Sequence, residues 1–264
     1  MKPLRILVVA TKAPWPPVDG GRLVLLTTIE ALAAEGHEID LVAPCAEAIS
    51  ETAAELESIC TPHLVATRPK SGVRAAALGL LRGTPATVER HTLPEVRRVV
   101  DEVLGRGGID VIHAEQLHTL PQIRSAEANG VPVVHRAHNV ESLLWSYSAG
   151  HRNALFGSLL ALEARRMSAW EVDALRSTAC TIALTEPDRR TLSELDPGTT
   201  VHTVPAPFAP DLPAGDSPLD GRPAVVTLAG STWAPSRDAV DHLATTIWPV
   251  VRRRLPTAAV SYTH

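Results

Sequence analysis

Short apolar runs alternate with longer stretches of helical periodicity through the first 204 residues of the chain. Several of the runs are almost continuously apolar, as expected for strands that are covered on both faces of a parallel sheet. The alternation predicts an α/β fold with a doubly wound parallel sheet and helices on both faces. The predicted strands span residues 5–10, 38–43, 63–67, 109–113, 131–136, 180–184 and 199–204.

Apolar side chains at helical spacing predict the connecting helices. A helix over 22–35 turns one stripe toward the sheet and ends at Gly36, and a helix over 95–104 ends at Gly105. The longest helical pattern, 151–177, is predicted to brace the sheet. The inward residues are predicted to be Leu23, Leu26, Ile29, Leu32 and Ala33 in the first helix, Val96, Val99, Val100 and Val103 in the second, and Leu155, Leu159, Leu162, Met167 and Trp170 in the third.

A proline-rich stretch, VPAPFAPDLPAGDSPLDGRP, breaks the periodicity at residues 204–223. It divides the chain into a first domain over 1–204, a linker over 205–222 and a second domain over 223–264. The last part has a strand pattern, a helical pattern and a final apolar run, so it predicts a single β-α-β unit.

Composition narrows the possible partners and the compartment. The 264 residues carry a net charge of −4 with 45% hydrophobic residues, so no basic stripe points to nucleic acid. Three widely separated cysteines form no CxxC pair, and no uninterrupted apolar run is long enough to span a bilayer. We expect a cytoplasmic protein with reduced thiols. The histidines at 113, 118, 135 and 138 match no known ligand spacing, so no metal is expected.

The bend after the first predicted strand holds three prolines and the adjacent pair Gly20 and Gly21. Ligands of open parallel sheets lie beyond the carboxyl ends of the strands. Two interpretations of the glycines stay open. They can admit the backbone close to a ligand, or they can only permit a tight turn. A dinucleotide site is disfavoured because the G-x-G-x-x-G fingerprint does not occur here.

Other polar residues follow the later strands at the same predicted edge of the sheet. His138 and Asn139 follow the fifth strand, and either could also cap the next helix. Glu115, together with His113, ends the fourth strand, and Glu186 follows the sixth. Glu186 could equally be an acid that decorates a helix amino terminus.

Five stretches, in order and in register, carry a resemblance to a known family. They are PPVDGGRLVLLTTIEALAAEGHEIDLVAP at 16–44, VIHAEQL at 111–117, RAHNVESLLW at 136–145, ALTEPDRRTLSEL at 183–195 and LAGSTWAPSRDAVDHLATTIWPVVRRRLPTA at 228–258. Together they resemble glycosyltransferase family 4, and most closely the sugar transferases associated with exopolysaccharide systems. The resemblance implies a GT-B fold of two Rossmann-like domains and a retaining transfer of a hexosyl group.

The resemblance also implies roles for residues of this chain. His138 would be the catalytic residue near the reacting carbon, and Asp19, Gly20, Gly21, Glu115, Asn139 and Glu186 would line the substrate site. Gly230 and Ser231 would begin the donor-side loop of the second domain. A nucleotide-sugar would be the co-substrate, with no cofactor and no metal, and a glycan or lipid-linked molecule would be the acceptor.

The second domain is shorter than the resemblance requires. Residues 223–264 lack an Arg/Lys pair and an E-x7-E element, so we expect an incomplete Rossmann-like domain, truncated at its carboxyl end. The alternative function is a non-catalytic remnant that binds an acceptor or a partner subunit. Residues 72–83, with arginines around an apolar centre, fit either peripheral contact with the inner face of the membrane or, more simply, a helix buried on the flank of the sheet.

Overall fold

The computed structural model describes residues 2–123, 130–150, 154–207, 224–228 and 234–263. Contacts within the chain divide it into two compact units, Met1–Ala209 and Pro210–His264. Most of the proline-rich linker, and with it Gly230 and Ser231, lies outside the described residues.

The first unit is built on a seven-stranded parallel sheet, which confirms the predicted α/β fold. Its strands alternate with helices along the chain, as a doubly wound arrangement requires. The strands are β1 Arg5–Val9, β2 Glu38–Pro44, β3 Thr61–Val65, β4 Val111–Glu115, β5 Val133–Ala137, β6 Cys180–Ala183 and β7 Val201–Thr203.

The spatial order of the strands is β3-β2-β1-β4-β5-β6-β7, so the direction of winding reverses between β1 and β4. Chains leave these two neighbours toward opposite sides of the sheet, which opens a crevice beyond their carboxyl ends. In the neighbouring pair β4 and β5, Glu115 lies directly opposite Arg136. The topology therefore puts the ends of β1, β4 and β5 around one crevice.

Helices cover both faces of this sheet. Their bounds are α1 Gly20–Ala34, α2 Ile49–Leu56, α3 Gly72–Arg82, α4 Ala86–His91, α5 Pro94–Gly105, α6 Glu141–Gly150, α7 Ala154–Ser177 and α8 Glu186–Leu195, with a 3-10 helix over Leu117–Gln122. On one face α5 packs Val96 and Val100 against Leu7 of β1. On the other face α1 packs Leu25 and Ile29 against Ile6. Alternate residues of β1 therefore feed two separate apolar layers.

Helix α1 begins two residues earlier than predicted. The Asp19 carboxylate accepts a hydrogen bond from the Arg22 amide, and this cap makes Gly20 the first helical residue. With the earlier start, Leu25, Leu26 and Ile29 are the buried residues of the helix. Leu23 is exposed, so the prediction that it faces the sheet is wrong.

Helix α7 packs on the sheet through its carboxyl-terminal half. Met167, Ala174 and Leu175 are buried there. Leu159 and Leu162 are exposed, so the prediction that they face the sheet is wrong. Helix α7 also packs against α6.

Helix α3 does not lie buried on the flank of the sheet, so the simpler interpretation of residues 72–83 is wrong. Only Ala75 and Gly79 of this helix are buried. Val73 and Leu81 are each 85% exposed, and Leu80 is 60% exposed. Its small buried side chains let α3 lie close against α4, and its larger apolar side chains point to solvent.

The second unit contains one parallel strand pair, β8 Ala224–Leu228 and β9 Ala259–Thr263. Between them runs α9 Ala234–His242, which continues through a π-helical turn at Leu243–Ile247 into α10 Trp248–Arg254. The π turn ends two residues before Pro249, which has no amide proton to donate to the preceding turn. Among residues 224, 225, 227 and 236–260, whose exposure is described, no side chain is buried.

Candidate functional site

Three chain segments meet at the crevice between β1 and β4. They are the bend at residues 10–21, the end of β4 at Glu115 and Gln116, and the end of β5 at His138. Because the strands are parallel, the following helices begin at this edge and turn their amino termini toward it. The predicted site residues Gly20, Gly21, Glu115 and His138 therefore lie at one edge of one sheet.

The bend is held together by Asp19. Both carboxylate oxygens lie 2.7 Å from Lys12 Nζ, and one of them also accepts from the Arg22 amide at 3.0 Å. Burial raises the pKa of Asp19, but hydrogen bonds from Lys12 and Arg22 outweigh burial, so the pKa lies below its ordinary value. The oxygens of this predicted substrate-binding residue are thus engaged in holding the bend.

The two glycines are not required by backbone conformation. Neither has a positive φ, because both belong to the first turn of α1. A methyl group added to Gly20 would meet no atom within 4 Å, and one added to Gly21 would lie 3.8 Å from Gln116 Nε2. A tight turn therefore does not explain Gly20. The open space in front of it leaves room for another molecule against the first amides of α1.

Glu115 is the centre of the polar network beside this bend. One carboxylate oxygen accepts from His113 Nε2 at 2.6 Å, and the other accepts from His138 Nε2 at 2.5 Å. Burial raises the pKa of Glu115, but these two hydrogen bonds outweigh burial and hold the pKa well below its ordinary value. Glu115 is therefore a carboxylate that can only accept hydrogen bonds.

Arg136 connects the network to α1. Its side chain leaves β5 beside Glu115 and its Nη1 donates to Thr28 Oγ1 at 2.5 Å. Burial lowers the pKa of Arg136, and the nearby charge of Glu115 opposes this effect. The helix that carries the glycine bend and the strand that carries His138 are thus joined by one buried side chain.

Gln116 joins the remaining parts of the site, and sequence reasoning missed it. Its Oε1 accepts from Thr11 Oγ1 at 2.8 Å, and its Nε2 lies 3.3 Å from His138 Nδ1. The signal was its place directly after Glu115 in the stretch VIHAEQL. A chain of contacts now runs from Thr11 through Gln116 and His138 to Glu115.

Asn139 and Glu141 follow His138 at the start of α6. The Asn139 side chain forms a hydrogen bond with the Glu141 carboxyl group, and burial raises the pKa of Glu141 to about 7. The first amides of α6 are capped by Glu171 of α7, whose oxygens accept from Glu141 at 2.6 Å and from Ser142 at 3.2 Å. The cap comes from another helix, so the prediction that His138 or Asn139 supplies it is wrong.

Glu186 lies at the end of β6, apart from this network. Its carboxylate accepts hydrogen bonds from Arg189 at 2.8 Å, from Arg190 at 3.1 Å and from Thr203 at 2.9 Å. The hydrogen bonds from Arg189 and Thr203 lower the pKa of Glu186 to about 2. The geometry is that of an acid in the first turn of α8, which is the interpretation that competed with a substrate contact.

Two further histidines lie behind the site in the protein interior. Burial lowers the pKa of His118 to about 3 and that of His135 to about 4.

Within the described ranges, no group of three or more His, Cys, Asp or Glu side chains is arranged to hold a metal ion. Within the same ranges, no helix combines the length and apolar content needed to cross a bilayer.

Comparison with known proteins gives two kinds of likeness. A Klebsiella pneumoniae protein described as an uncharacterized 44.6 kDa protein in the cps region is 27% identical over 154 residues, which is 58% of this chain. The chain covers 38% of the length of that relative.

Among solved structures, Phytolacca americana UGT2 in complex with UDP-2fluoro-glucose and pterostilbene is similar with a TM-score of 0.53 and 14% identity, over 99% of this chain and 72% of that one. Arabidopsis thaliana UGT89C1 in complex with UDP-L-rhamnose gives 0.52 and 12% identity, over 100% and 70%. These likenesses show the GT-B fold.

The family itself follows from the sequence. The pattern of Glycosyltransferase Family 4 matches residues 18–212, which include the glycine bend, Glu115 and His138. The chain belongs to Glycosyltransferase Family 4.

Proposed function

We propose that this chain forms the acceptor side of a retaining glycosyltransferase that moves a hexosyl group from a nucleotide-sugar to a polysaccharide or lipid-linked acceptor. The family supports the reaction class. The relative from a cps region supports a polysaccharide setting. Because the chain covers 38% of that relative, we propose that a further polypeptide segment supplies the donor-binding half.

One observation carries the proposal. The Gly20–Gly21 bend and the His138 imidazole face the same crevice and are bridged by Gln116, which lies 3.3 Å from His138 Nδ1 and 3.8 Å from the position of a Gly21 methyl group. A sugar in this crevice would meet backbone amides on one side and polar side chains on the other. A few polar contacts of this kind fix the orientation of a bound ligand.

The residues of this chain serve to bind and orient. The amino terminus of the 15-residue helix α1 favours an anion, or an oxygen that accepts hydrogen bonds, at Gly20 and Gly21. The ionised Glu115 accepts from His138 and holds its ring in place. We propose that fixed dipoles at this edge stabilise charge that develops during transfer, with the leaving diphosphate supported by the donor half.

A pair of glycine variants tests the site. Gly20→Ala fills open space at the bend, and Gly105→Ala makes the same change at the end of α5, where an added methyl also meets no atom within 4 Å. With each variant joined to a donor half from a full-length relative, calorimetry with UDP-glucose and GDP-mannose should show at least a tenfold weaker binding for Gly20→Ala only. Equal affinities for both variants would remove the bend from the site.

The reaction itself is tested by transfer. The chain, alone and joined to a donor half from a full-length relative, is incubated with nucleotide-sugar and a polyprenyl phosphate-linked acceptor. NMR of the product reports the anomeric configuration. Product with the configuration of the donor supports retention, and the inverted configuration contradicts it.

We propose that α3 brings this acceptor side to the cytoplasmic face of the membrane. Its exposed face carries Val73, Leu80 and Leu81, with Arg74 and Arg82 beside them. Apolar and cationic side chains on one helix face favour an anionic lipid surface. The chain should sediment with phosphatidylglycerol vesicles, and Leu80→Glu together with Leu81→Glu should abolish this. Binding that survives the double change would contradict the proposal.

A non-catalytic partner-binding module is the second candidate function. It is favoured by the second unit, in which Val225, Ile247 and Val260 are exposed. One β-α-β unit cannot cover both faces of its strands. Light scattering of the purified chain separates the candidates, because a clean monomer that binds sugar nucleotide contradicts the module, and a stable oligomer without such binding supports it.

A further inference from the structure

Gln116 has a backbone conformation that residues other than glycine rarely adopt. Its φ is +72° and its ψ is 151°. This region is populated almost only by glycine, and a non-glycine residue stays there when its surroundings hold it. The Gln116 amide donates to the Arg136 carbonyl at 3.0 Å, and its own carbonyl accepts from the Thr119 amide at 3.2 Å and hydroxyl at 2.8 Å.

The strained backbone places the carboxamide between the parts of the site. On one side Thr11 Oγ1 donates to Gln116 Oε1 at 2.8 Å. On the other side Gln116 Nε2 lies 3.3 Å from His138 Nδ1 and 3.8 Å from where a methyl group on Gly21 would be. A strained backbone beside a candidate site points to a role for the side chain that it presents.

The hydrogen-bond chain has a direction because Glu115 can only accept. His138 Nε2 must therefore carry a proton for Glu115. In a neutral ring Nδ1 is then an acceptor, and only the NH2 group of Gln116 can face it. Rotating the carboxamide would present Oε1, which requires a second ring proton and so an imidazolium. The orientation of the Gln116 carboxamide and the number of protons on the His138 ring therefore depend on each other.

We propose that Gln116 is a positioning residue that sets His138 as the neutral Nε2–H form, with Nδ1 as an acceptor facing the carboxamide. The Thr11 hydroxyl fixes the carboxamide by donating to Oε1. The second proton of Gln116 Nε2 can then donate to a sugar hydroxyl beside Gly21. This inference rests on the proposed sugar-transfer function for its purpose, but the state of the His138 ring does not depend on it.

Nuclear magnetic resonance of the whole chain labelled with ¹⁵N-histidine tests the ring directly. Long-range ¹H–¹⁵N spectra report which ring nitrogens carry protons, and His138→Gln identifies the signal. The parent should show one protonated and one unprotonated nitrogen. Gln116→Glu should give two protonated nitrogens, because a carboxylate at Nδ1 requires a proton there. A Gln116→Glu spectrum identical to the parent spectrum would overturn the proposal.

Two matched pairs separate the carboxamide from the backbone. Gln116→Ala keeps the strain, and Gln116→Gly relieves it, so the glycine variant should melt at a higher temperature than the alanine variant. In both variants the His138 ring should no longer show one protonated and one unprotonated nitrogen. Thr11→Val should broaden the signals of the His138 ring, and Thr11→Ser should give the parent spectrum. Retention of the parent spectrum in the glycine variant would show that Gln116 acts only through its backbone.

Sugar binding separates this inference from the proposed function. If UDP-glucose binds, Gln116→Ala should weaken it about tenfold while UDP alone binds unchanged. If no sugar nucleotide binds to the parent chain even when it is joined to a donor half from a full-length relative, the proposed function fails while the ring spectra still decide the role of Gln116. Equal loss for UDP and UDP-glucose would contradict a contact with the sugar.

Discussion

Two buried carboxylates lie on the same sheet, and each accepts a hydrogen bond from a histidine. Asp40 of β2 accepts from Arg5 Nε at 3.0 Å and from His63 at 2.8 Å, toward the amino ends of the strands. Glu115 accepts from His113 and His138 at the carboxyl end of β4. The chemical groups are alike, but only the second cluster lies at the crevice where the connections after β1 and β4 turn to opposite sides of the sheet.

The difference shows that a buried acid with a histidine is not by itself a binding site. At the amino ends the helices finish, as α1 does at Ala34 before β2. At the carboxyl ends the helices begin, as α1, α6 and α8 do. Helix amino termini favour anions and acceptor oxygens, whereas carboxyl termini disfavour them. The topology of the sheet therefore decides which cluster lies at the proposed site.

The largest expected effect comes from removing each acid. Glu115→Ala and Asp40→Ala should each lower the free energy of unfolding by about 3 kcal/mol, because each leaves buried donors without an acceptor. Chemical denaturation measures this loss. Calorimetry with UDP-glucose, on each variant joined to a donor half from a full-length relative, should show binding lost in Glu115→Ala and retained in Asp40→Ala. Glu115→Gln, which keeps the shape, serves as a second variant. Equal loss of binding in both clusters would end the distinction between them.

A smaller effect concerns pH at the carboxyl edge. Burial raises the pKa of Glu141 to about 7, so between the ordinary carboxyl pKa and 7 the folded chain binds a proton that the unfolded chain releases. This contribution to stability is present at low pH and is lost as pH rises toward 7. From pH 5 to pH 8, Glu141→Gln should gain stability relative to the parent by on the order of 1–2 kcal/mol. Parallel stability curves would contradict this.

The smallest effect comes from the half-exposed pair of Lys12 and Asp19. Lys12→Met should lower the free energy of unfolding by about 0.5 kcal/mol, because solvent screens the pair. Arg68→Met breaks the more exposed pair with Glu47 and should change stability less. Affinity for UDP-glucose should fall several-fold for Lys12→Met alone, since Lys12 holds the capping residue of the glycine bend. An unchanged affinity would leave Lys12 with a purely structural role.

Much of the fold was predictable because burial on both faces leaves a strong signal. The predicted strands 131–136 and 180–184 correspond to Val133–Ala137 and Cys180–Ala183, and the bounds of the other strands agree to within two residues at each end. The start of α1 was missed because two glycines weaken a helical pattern, whereas the Asp19 cap extends the helix to include them. Leu23 and Leu159 followed helical spacing but are 48% and 58% exposed, which spacing alone does not reveal.

The candidate site was less predictable because its contacts join distant parts of the chain. The order of the strands brings the glycine bend to His138, and alternation alone gives no order. Gln116 was missed because its importance comes from a backbone angle and from two partners at positions 11 and 138. The capping of α6 by Glu171 was missed for the same reason, since a cap is usually sought in the residues that precede the helix.

This borrowed cap restricts how the protein can be re-engineered. The loop with His138 and the start of α6 depend on Glu171, which lies 30 residues from Glu141 in α7. A chimera that carries only residues 138–150 of this chain into a relative without an acid in the place of Glu171 would leave the first amides of α6 without their acceptor. Transfer of this edge of the sheet to another protein therefore has to carry residues 138–177 together.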